Sequence, residues 1–97
     1  MFKLSQIIGF DWDSGNVDKN WTKHKVKAEE CEQVFFNKPL LIFPDHKHSE
    51  KEKKHYVLGK TIDNKLLFIS FTIRKNKIRI ISARKMNKKE QKIYEQN

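Results

Sequence analysis

The sequence predicts an α+β protein in which an antiparallel four-stranded sheet is joined by two N-terminal helices and one C-terminal helix. Two observations predict this class. Apolar residues recur at helical spacing in the first 40 residues, whereas the second half holds runs of β-branched and aromatic residues separated by short turns. A chain of 97 residues has room for one domain, residues 1–97, with a modest core.

Capping residues and apolar spacing define the helices. They are predicted at residues 13–24, 28–36 and 87–96. Asp13 or Ser14 can cap the first helix, which ends near His24, and Asn87 can cap the third. The core face of the second helix holds Ala28, Cys31, Val34 and Phe35.

Turn residues separate the strands. The four strands of the sheet are predicted at residues 40–43, 54–61, 65–74 and 77–84, and a further short strand at residues 10–12. Asp63-Asn64 and Lys75-Asn76 fit two-residue hairpin turns, because Asn tolerates a positive φ. If both turns have two residues, they fix the register of the three long strands.

That register separates a core face from an open face. On the core face, the predicted pairs are Ile73–Ile78, Phe71–Ile80, Ile69–Ser82, Tyr56–Phe71 and Leu58–Ile69. On the open face, Thr72 lies between His55 and Arg79, so these three side chains form a polar row. A slip of one residue would move every side chain of a strand to the other face and destroy the row.

The charge is concentrated in the second part of the chain. The net charge is +9, and residues 45–97 carry all of it, since they hold fifteen Lys and Arg against six Asp and Glu. Such an asymmetry favours an acidic or polyanionic partner. The alternative interpretation is a Lys-rich surface that is merely solvated.

Residues 77–85 combine a strand pattern with four cations. An Arg on a rigid strand suits phosphate, because its planar fork makes paired hydrogen bonds to anionic oxygens. Arg79 and Arg84 cannot both face one site on a regular strand, unless a bulge near Ser82 re-aims Arg84. Otherwise Arg84 is expected to pair with an acidic residue, such as Glu90 or Asp11, and to seat a helix.

Several function classes are not expected. No apolar run approaches the roughly 20 residues of a membrane span, and the single Cys31 allows no internal disulfide, which favours the cytoplasm. His46-Lys47-His48 alternates as metal ligands can, but a third ligand is missing. We therefore expect neither a metal nor another cofactor.

Short motifs follow one another along nearly the whole chain. They are Phe10-Asp11-Trp12-Asp13, Asn20-Trp21-Thr22-Lys23-His24 and Ile80-Ile81-Ser82-Ala83-Arg84, followed by Lys89-Glu90 and Tyr94. In this order they resemble the BrnT family of bacterial type II toxin-antitoxin ribonuclease toxins. The resemblance implies a RelE-like fold and a ribonuclease that blocks translation. It also implies a cognate antitoxin of the ribbon-helix-helix type, through which the pair binds operator DNA.

Within this resemblance, Lys23, His24 and Arg79 are the candidate catalytic residues. Cleavage by attack of the ribose 2′-OH needs a proton acceptor, a proton donor and a cation for the phosphorane charge. Arg79 suits the cation and His24 the proton transfer. The alternative interpretations are a surface strand Arg, a His favoured by the helix C-terminus and, for Lys23, a solvated helix charge.

The candidate substrate-binding residues are Lys54, His55, Arg74 and Arg84. Arg74 lies at a hairpin corner and is expected to contact distant phosphates. The chain departs from the family pattern at Lys27, Lys54, His55 and Gln91, where the family usually has Ser or Thr, Arg, an aromatic residue and Arg. His55 can therefore be a packing substitute, and the departures bear on activity more than on fold.

Two other functions fit the same residues. One is a non-catalytic basic module that binds nucleic acid, and the other is a protein-interaction component whose basic sheet docks an acidic partner. In the toxin hypothesis, the antitoxin is expected to cover the basic face with an acidic or helical segment.

Overall fold

The structure is a computed structural model that describes residues 4–48 and 51–97, and within these ranges it leaves the side chains of residues 20–22 and 48 undescribed. Two short 3-10 turns occur, at Leu4–Gln6 and His46–His48. The strands are β1 (Gly9–Phe10), β2 (Leu41–Pro44), β3 (Lys54–Lys60), β4 (Leu66–Arg74) and β5 (Lys77–Lys85). The helices are α1 (Ser14–His24), α2 (Ala28–Phe36) and α3 (Lys88–Glu95).

The described strands form one five-stranded sheet in the order β1-β5-β4-β3-β2. The α+β class is confirmed, but the prediction of a four-stranded antiparallel sheet is wrong by one strand, because β1 joins the edge of the sheet parallel to β5. Backbone bonds from Ile8 N–H to Asn76 O and from Asp11 N–H to Ile78 O hold β1 there. A two-residue strand is too short to leave an alternation signal in the sequence.

The three predicted helices are confirmed, and local capping explains their starts. At α1 the predicted cap Asp13 exchanges bonds with Asn16, since each side chain accepts the backbone N–H of the other residue. Asn87 caps α3 by accepting the Glu90 N–H at 2.8 Å, while Glu90 accepts the Asn87 N–H at 2.9 Å. At α2 only half of such a box is present, since the Glu30 carboxylate accepts the Lys27 N–H at 2.9 Å. Lys27 has no side-chain acceptor to offer in return.

The predicted register between β3 and β4 is wrong by one residue. The pairs are His55–Phe71 and Val57–Ile69, so Tyr56 and Leu58 lie on the other face of the sheet. The cause is the connection, which spans residues 61–65 instead of a two-residue turn. Thr61 closes it, because its N–H donates to Lys65 O and its Oγ1 accepts the Lys65 N–H.

The hairpin between β4 and β5 begins as predicted and then changes register. Lys75 and Asn76 have φ values of 51° and 63°, as a two-residue turn of this kind requires. The predicted pairs Ile73–Ile78 and Phe71–Ile80 are confirmed. The next pair is Ser70–Ser82, so a bulge leaves Ile81 as the extra residue, and the predicted Ile69–Ser82 pair is replaced by Ile69–Ala83.

Apolar side chains pack on both faces of the sheet. The main core lies between α2 and one face, which we call the core face, and its buried residues include Cys31, Val34, Phe35, Ile69, Phe71 and Ile80. A smaller core lies under α3 on the opposite face, where Leu58, Met86 and Tyr94 are buried. Burial raises the pKa of the Cys31 thiol to about 12, so this cysteine is an inert core residue.

Among the described helices, none has both the length and the apolar character that crossing a bilayer requires.

Candidate active site

Lys54, Thr72 and Arg79 lie side by side on three neighbouring strands, on the face opposite the main core. We call this row the basic row. The predicted row is confirmed for Thr72 and Arg79, but the corrected register puts Lys54 in the place predicted for His55. Thr72 is buried, and its hydroxyl donates to Lys53 O at 2.7 Å, which fixes the middle of the row.

The guanidinium of Arg79 is held by two carboxylates. Its Nη2 donates to Asp13 Oδ2 at 2.8 Å, and its Nη1 lies 3.4 Å from Asp11 Oδ1. Both carboxylates follow β1, and the parallel pairing of β1 with β5 brings them to Arg79. The side chain of Arg79 is 22% exposed, so it has a fixed orientation but still reaches solvent.

Asp13 and Asn16 join this arrangement to α1. The Asp13 Oδ1 accepts the Asn16 N–H at 3.0 Å, and this bond, followed by the bond from Arg79, lowers the pKa of Asp13. The buried Asn16 amide donates to Asp11 O and to Ile80 O, both at 3.1 Å. Asn16 thus ties the helix to β5 and to the residue that follows β1, a role that its polar side chain alone did not reveal.

An open cleft of about 570 Å³ lies between the start of α1 and the bulge of β5. It is lined by Asp13, Ser14, Gly15, Asn16, Lys19, Arg79, Ile80 and Ile81. Lys19 lines this candidate site, and sequence reasoning missed it. The available signal was its spacing, because Lys19 and Lys23 are four residues apart and therefore neighbours on one helix face.

Lys23 and His24 occupy the last turn of α1, as predicted. Lys23 is exposed, and His24 is half-buried. Lys19, not these two residues, is the α1 cation among the described side chains that line the cleft. Lys23 extends the line of cations that Lys19 begins, one helical turn further along α1.

Arg84 lies on the same side of the sheet as Arg79, because the bulge shifts the alternation by one residue. Its Nη1 and Nη2 donate to the two carboxylate oxygens of Glu90 at 2.8 and 2.9 Å. Its guanidinium also lies 4.2 Å from the centre of the Phe68 ring. Both alternatives foreseen for Arg84 therefore occur together: a bulge re-aims it, and it seats a helix.

Glu90 completes this pairing. Burial raises its pKa, but the bonds from Arg84 and from the Asn87 N–H outweigh that effect, so the pKa of Glu90 is lowered overall. The carboxylate side chain is 15% exposed, which keeps the pair partly shielded from water. Arg84 and Glu90 connect the end of β5 to the first turn of α3.

The remaining candidates lie away from the cleft. Arg74 is at the hairpin corner, as predicted, where it makes two bonds to the Glu52 carboxylate, at 2.8 and 3.2 Å. His55 lies on the core face and stacks on Phe71 with ring centroids 5.6 Å apart. Burial, followed by the charge of Lys53, lowers the pKa of His55, which favours the neutral ring of a packing residue.

Sequence reasoning also missed an aromatic stack beside the basic row. Phe43 and Tyr56 lie with ring centroids 5.0 Å apart, and Tyr56 and Phe68 follow at 5.1 Å. The stack continues into the guanidinium of Arg84. The wrong register hid it by assigning Tyr56 to the core face, so the stack is a second consequence of the long connection between β3 and β4.

Comparison with known proteins agrees with the resemblance. The model of the family described as "Ribonuclease toxin, BrnT, of type II toxin-antitoxin system" matches residues 12–90, which is well over half of the chain. No curated protein matches the sequence. The matched range includes the cleft residues from Asp13 to Ile81, together with Arg84 and Glu90. Among the described residues, no three His, Cys, Asp or Glu side chains come together as metal ligands would.

Proposed function

The chain belongs to the BrnT family of type II toxin-antitoxin ribonuclease toxins, and we propose that it cleaves RNA in the cytoplasm without a metal ion and so inhibits translation. The observation that carries the proposal is the setting of Arg79. This residue borders an open cleft, is oriented by two carboxylates and is flanked by the cations Lys54 and Lys19. A strand Arg held in this way suits a phosphate that becomes more negative during reaction.

Arg79 has donors left for a substrate. A guanidinium carries five N–H groups, and Asp11 and Asp13 engage its two terminal nitrogens. The carboxylates also fix the plane of the group, which reduces the entropy lost when a phosphate binds. Since the pKa of Asp13 is lowered, this carboxylate is a poor proton acceptor, and we assign it to positioning Arg79.

The proposed reaction is an internal transesterification. The ribose 2′-oxygen forms a bond to the adjacent phosphorus while the bond from phosphorus to the 5′-oxygen breaks, which gives a cyclic phosphate and a free 5′-hydroxyl. The proton of the 2′-OH passes to an acceptor, and the leaving 5′-oxygen takes a proton from a donor. We propose His24 and Lys23 for these transfers. Both lie in the last turn of α1, directly after the turn that holds Lys19, and Lys19 lines the cleft.

The remaining candidate residues divide into two groups. We propose that Lys54 binds the scissile region, as the neighbour of Arg79 across Thr72, and that Arg74 contacts more distant phosphates. Arg84 and His55 are left out of the substrate site, since Arg84 seats α3 through its bonds to Glu90 and His55 stacks on Phe71 on the core face. The resemblance further leads us to propose a ribbon-helix-helix antitoxin that carries the complex to operator DNA.

The test is RNA cleavage by the purified chain in EDTA, comparing wild type with Arg79→Ala and with Arg74→Ala as a matched Arg control. We expect cyclic-phosphate products from the wild type, and a loss of about 100-fold or more for Arg79→Ala with an unchanged melting temperature. Arg74→Ala should lose far less. A requirement for added divalent metal would contradict the proposed chemistry.

The same basic row supports a second candidate, a module that binds nucleic acid without cleaving it. This candidate predicts salt-sensitive binding with intact RNA recovered. The cleavage assay separates the two, because binding by the wild type without any product would favour the module.

A further inference from the structure

An apolar surface surrounds Phe36, the last residue of α2. Among the described residues, six large apolar side chains are exposed, and the most exposed are Phe36 at 82%, Ile62 at 73% and Ile8 at 71%. Five of the six line clefts that all include Phe36. We define the Phe36 surface as Leu4, Ile8, Phe36, Ile42 and Ile62. In a chain of mean hydropathy −0.80, such a cluster marks a surface that another molecule covers.

Two clefts beside Phe36 lead from this surface to the main core. One, of about 580 Å³, is lined by Ile8 and Phe10 and reaches the buried Phe35 and Ile78. The other, of about 640 Å³, is lined by Phe35, Phe36, Leu40 and Ile42, among others. Clefts of this shape accept apolar side chains as anchors, which is how the central residues of protein interfaces bind.

The charged side chains around Phe36 indicate what kind of partner fits. Glu29 and Glu32 of α2 line a third cleft together with Phe36 and Ile62. These carboxylates stand out in a protein of net charge +9. A partner segment with cations next to its apolar anchors would match them, whereas Lys38, beside the second cleft, would take an acidic or polar group.

We propose that the protein antitoxin docks on the Phe36 surface, through apolar anchors beside Phe36 and cations that meet Glu29 and Glu32. The proposal rests on the proposed function, since the toxin-antitoxin family supplies the partner. A second copy of this chain fits less well. A two-fold interface sets one surface against itself, so Glu29 and Glu32 would face the same carboxylates between two bodies of charge +9.

The Phe36 surface lies apart from the basic face that the sequence led us to expect the antitoxin to cover, so the proposal separates docking from catalysis. Phe36 belongs to α2, which packs on the core face, whereas Arg79 lies on the opposite face of the sheet. The two regions meet at β1 and β5, because Phe10 and Ile78 line a cleft of the Phe36 surface while Asp11 and Arg79, the residues that follow them, contact each other. Phe36 itself belongs to neither strand. A substitution at Phe36 should therefore release the antitoxin without harming the cleft.

The test measures the affinity of the full chain for its purified protein antitoxin. The variants are Phe36→Ser and Ile62→Ser, which lie on different elements, and the matched control is Ile93→Ser on α3, where the side chain is 39% exposed. We expect each of the first two to weaken binding by at least about 30-fold and the control by less than about 3-fold. Glu29→Lys should weaken binding, and Glu95→Lys should not.

Each alternative result decides the proposal. Unchanged affinity in both Phe36→Ser and Ile62→Ser would overturn it, and so would an equal loss in Ile93→Ser. If the variants keep antitoxin binding but turn a dimer of this chain into a monomer, the surface is a self-interface and the proposal is wrong. RNA cleavage by the free variants is measured in parallel. Antitoxin binding lost at Phe36 in a chain that never cleaves RNA would refute the proposed function but support the docking surface.

Discussion

The two ends of β5 each present an arginine on the same side of the sheet, but the two arginines have different surroundings. Arg84 gives both terminal nitrogens to one carboxylate, Glu90, and lies against the Phe68 ring. Arg79 shares its terminal nitrogens between two carboxylates, at 2.8 and 3.4 Å, and borders an open cleft.

The difference teaches which arginine can serve a substrate. Arg84 is matched by a carboxylate of the same planar geometry, so a phosphate would have to displace Glu90 and unseat α3. Arg79 is oriented by its two partners, but each of them contacts only one of its terminal nitrogens, so neither fills the planar fork. Of the two arginines of β5, we therefore regard Arg84 as structural, because its fork is filled and it seats α3, and Arg79 as the one that can meet a substrate, because its fork is held only at its edges beside open space.

Replacing each arginine with lysine should give the largest difference between the two ends of β5. Arg79→Lys keeps the charge but loses the fork, so we expect the rate of RNA cleavage to fall by about 10- to 100-fold, or about 1.4–2.7 kcal/mol. Arg84→Lys should change the rate less than about 3-fold. Single-turnover rates at saturating protein measure both, and equal losses would show that the two ends do not differ in function.

The free energy of unfolding should depend more on Arg84 than on Arg79, the reverse of the order expected for cleavage. Arg84→Ala removes a half-buried bidentate pair and its contact with Phe68, so we expect it to lower the free energy of unfolding by about 1–2 kcal/mol, between the values for exposed and buried pairs. A double-mutant cycle with Glu90→Gln measures the coupling by urea denaturation. A coupling energy indistinguishable from zero would contradict a structural role for the pair.

A smaller effect is expected at the end of α1, near Lys23 and His24. Lys25 follows the helix with φ 57°, a left-handed conformation that glycine adopts without strain. Lys25→Gly should therefore stabilise the fold by about 0.5–1 kcal/mol, as measured by thermal or urea unfolding. A loss of stability would indicate that the side chain of Lys25 outweighs the strain.

The smallest effects are changes in how stability depends on pH. The folded protein lowers the pKa of His55, chiefly by burial, so the unfolded chain binds more protons and stability falls as the pH drops below the ordinary histidine pKa. In His55→Phe this loss near pH 6 should disappear, while the stack on Phe71 remains. If the variant keeps the wild-type pH profile in that range, the ring of His55 is not the cause.

Glu90 acts in a more acidic range. Its folded pKa is lowered, so its contribution to stability is present above the ordinary glutamate pKa and is lost as the pH falls through the lowered value. Glu90→Gln should flatten the acid limb of the stability profile below about pH 4.5, and the same change at the exposed Glu95 should leave that limb as it is.

The parts that the sequence predicts well are those decided by neighbouring residues. The cap at Asn87 and the turn at Lys75-Asn76 need only side chains within a few positions, so helix ends and the β4–β5 turn are correct. The link from β3 to β4 depends on the Thr61 bonds that lengthen it. No local pattern indicates that length. The shift of one residue in register places His55 on the core face and Tyr56 on the opposite face.

The site was predictable only in part, for the same reason. Arg79 and Thr72 follow from the alternation next to a short turn, and Asp11 and Asp13 were visible as a motif. Their contact with Arg79 depends on the parallel pairing of β1 with β5. A strand of two residues leaves no pattern in the sequence from which that pairing could be predicted. The bulge at Ile81 depends on packing across the sheet, so whether Arg84 shared a face with Arg79 stayed open until the structure was known.

The parallel pairing of β1 with β5 also governs when the protein becomes complete during its synthesis. The bond between Arg79 and Asp13 joins residues that are 66 positions apart. Ribosomes release the N-terminal part first, at about 5–20 residues per second, so Asp11 and Asp13 emerge several seconds before their partner. A chain still lacking β5 has neither the edge that holds β1 nor the arginine between the two carboxylates. The contacts that orient Arg79 in the proposed site can therefore form only when nearly the whole chain has been made.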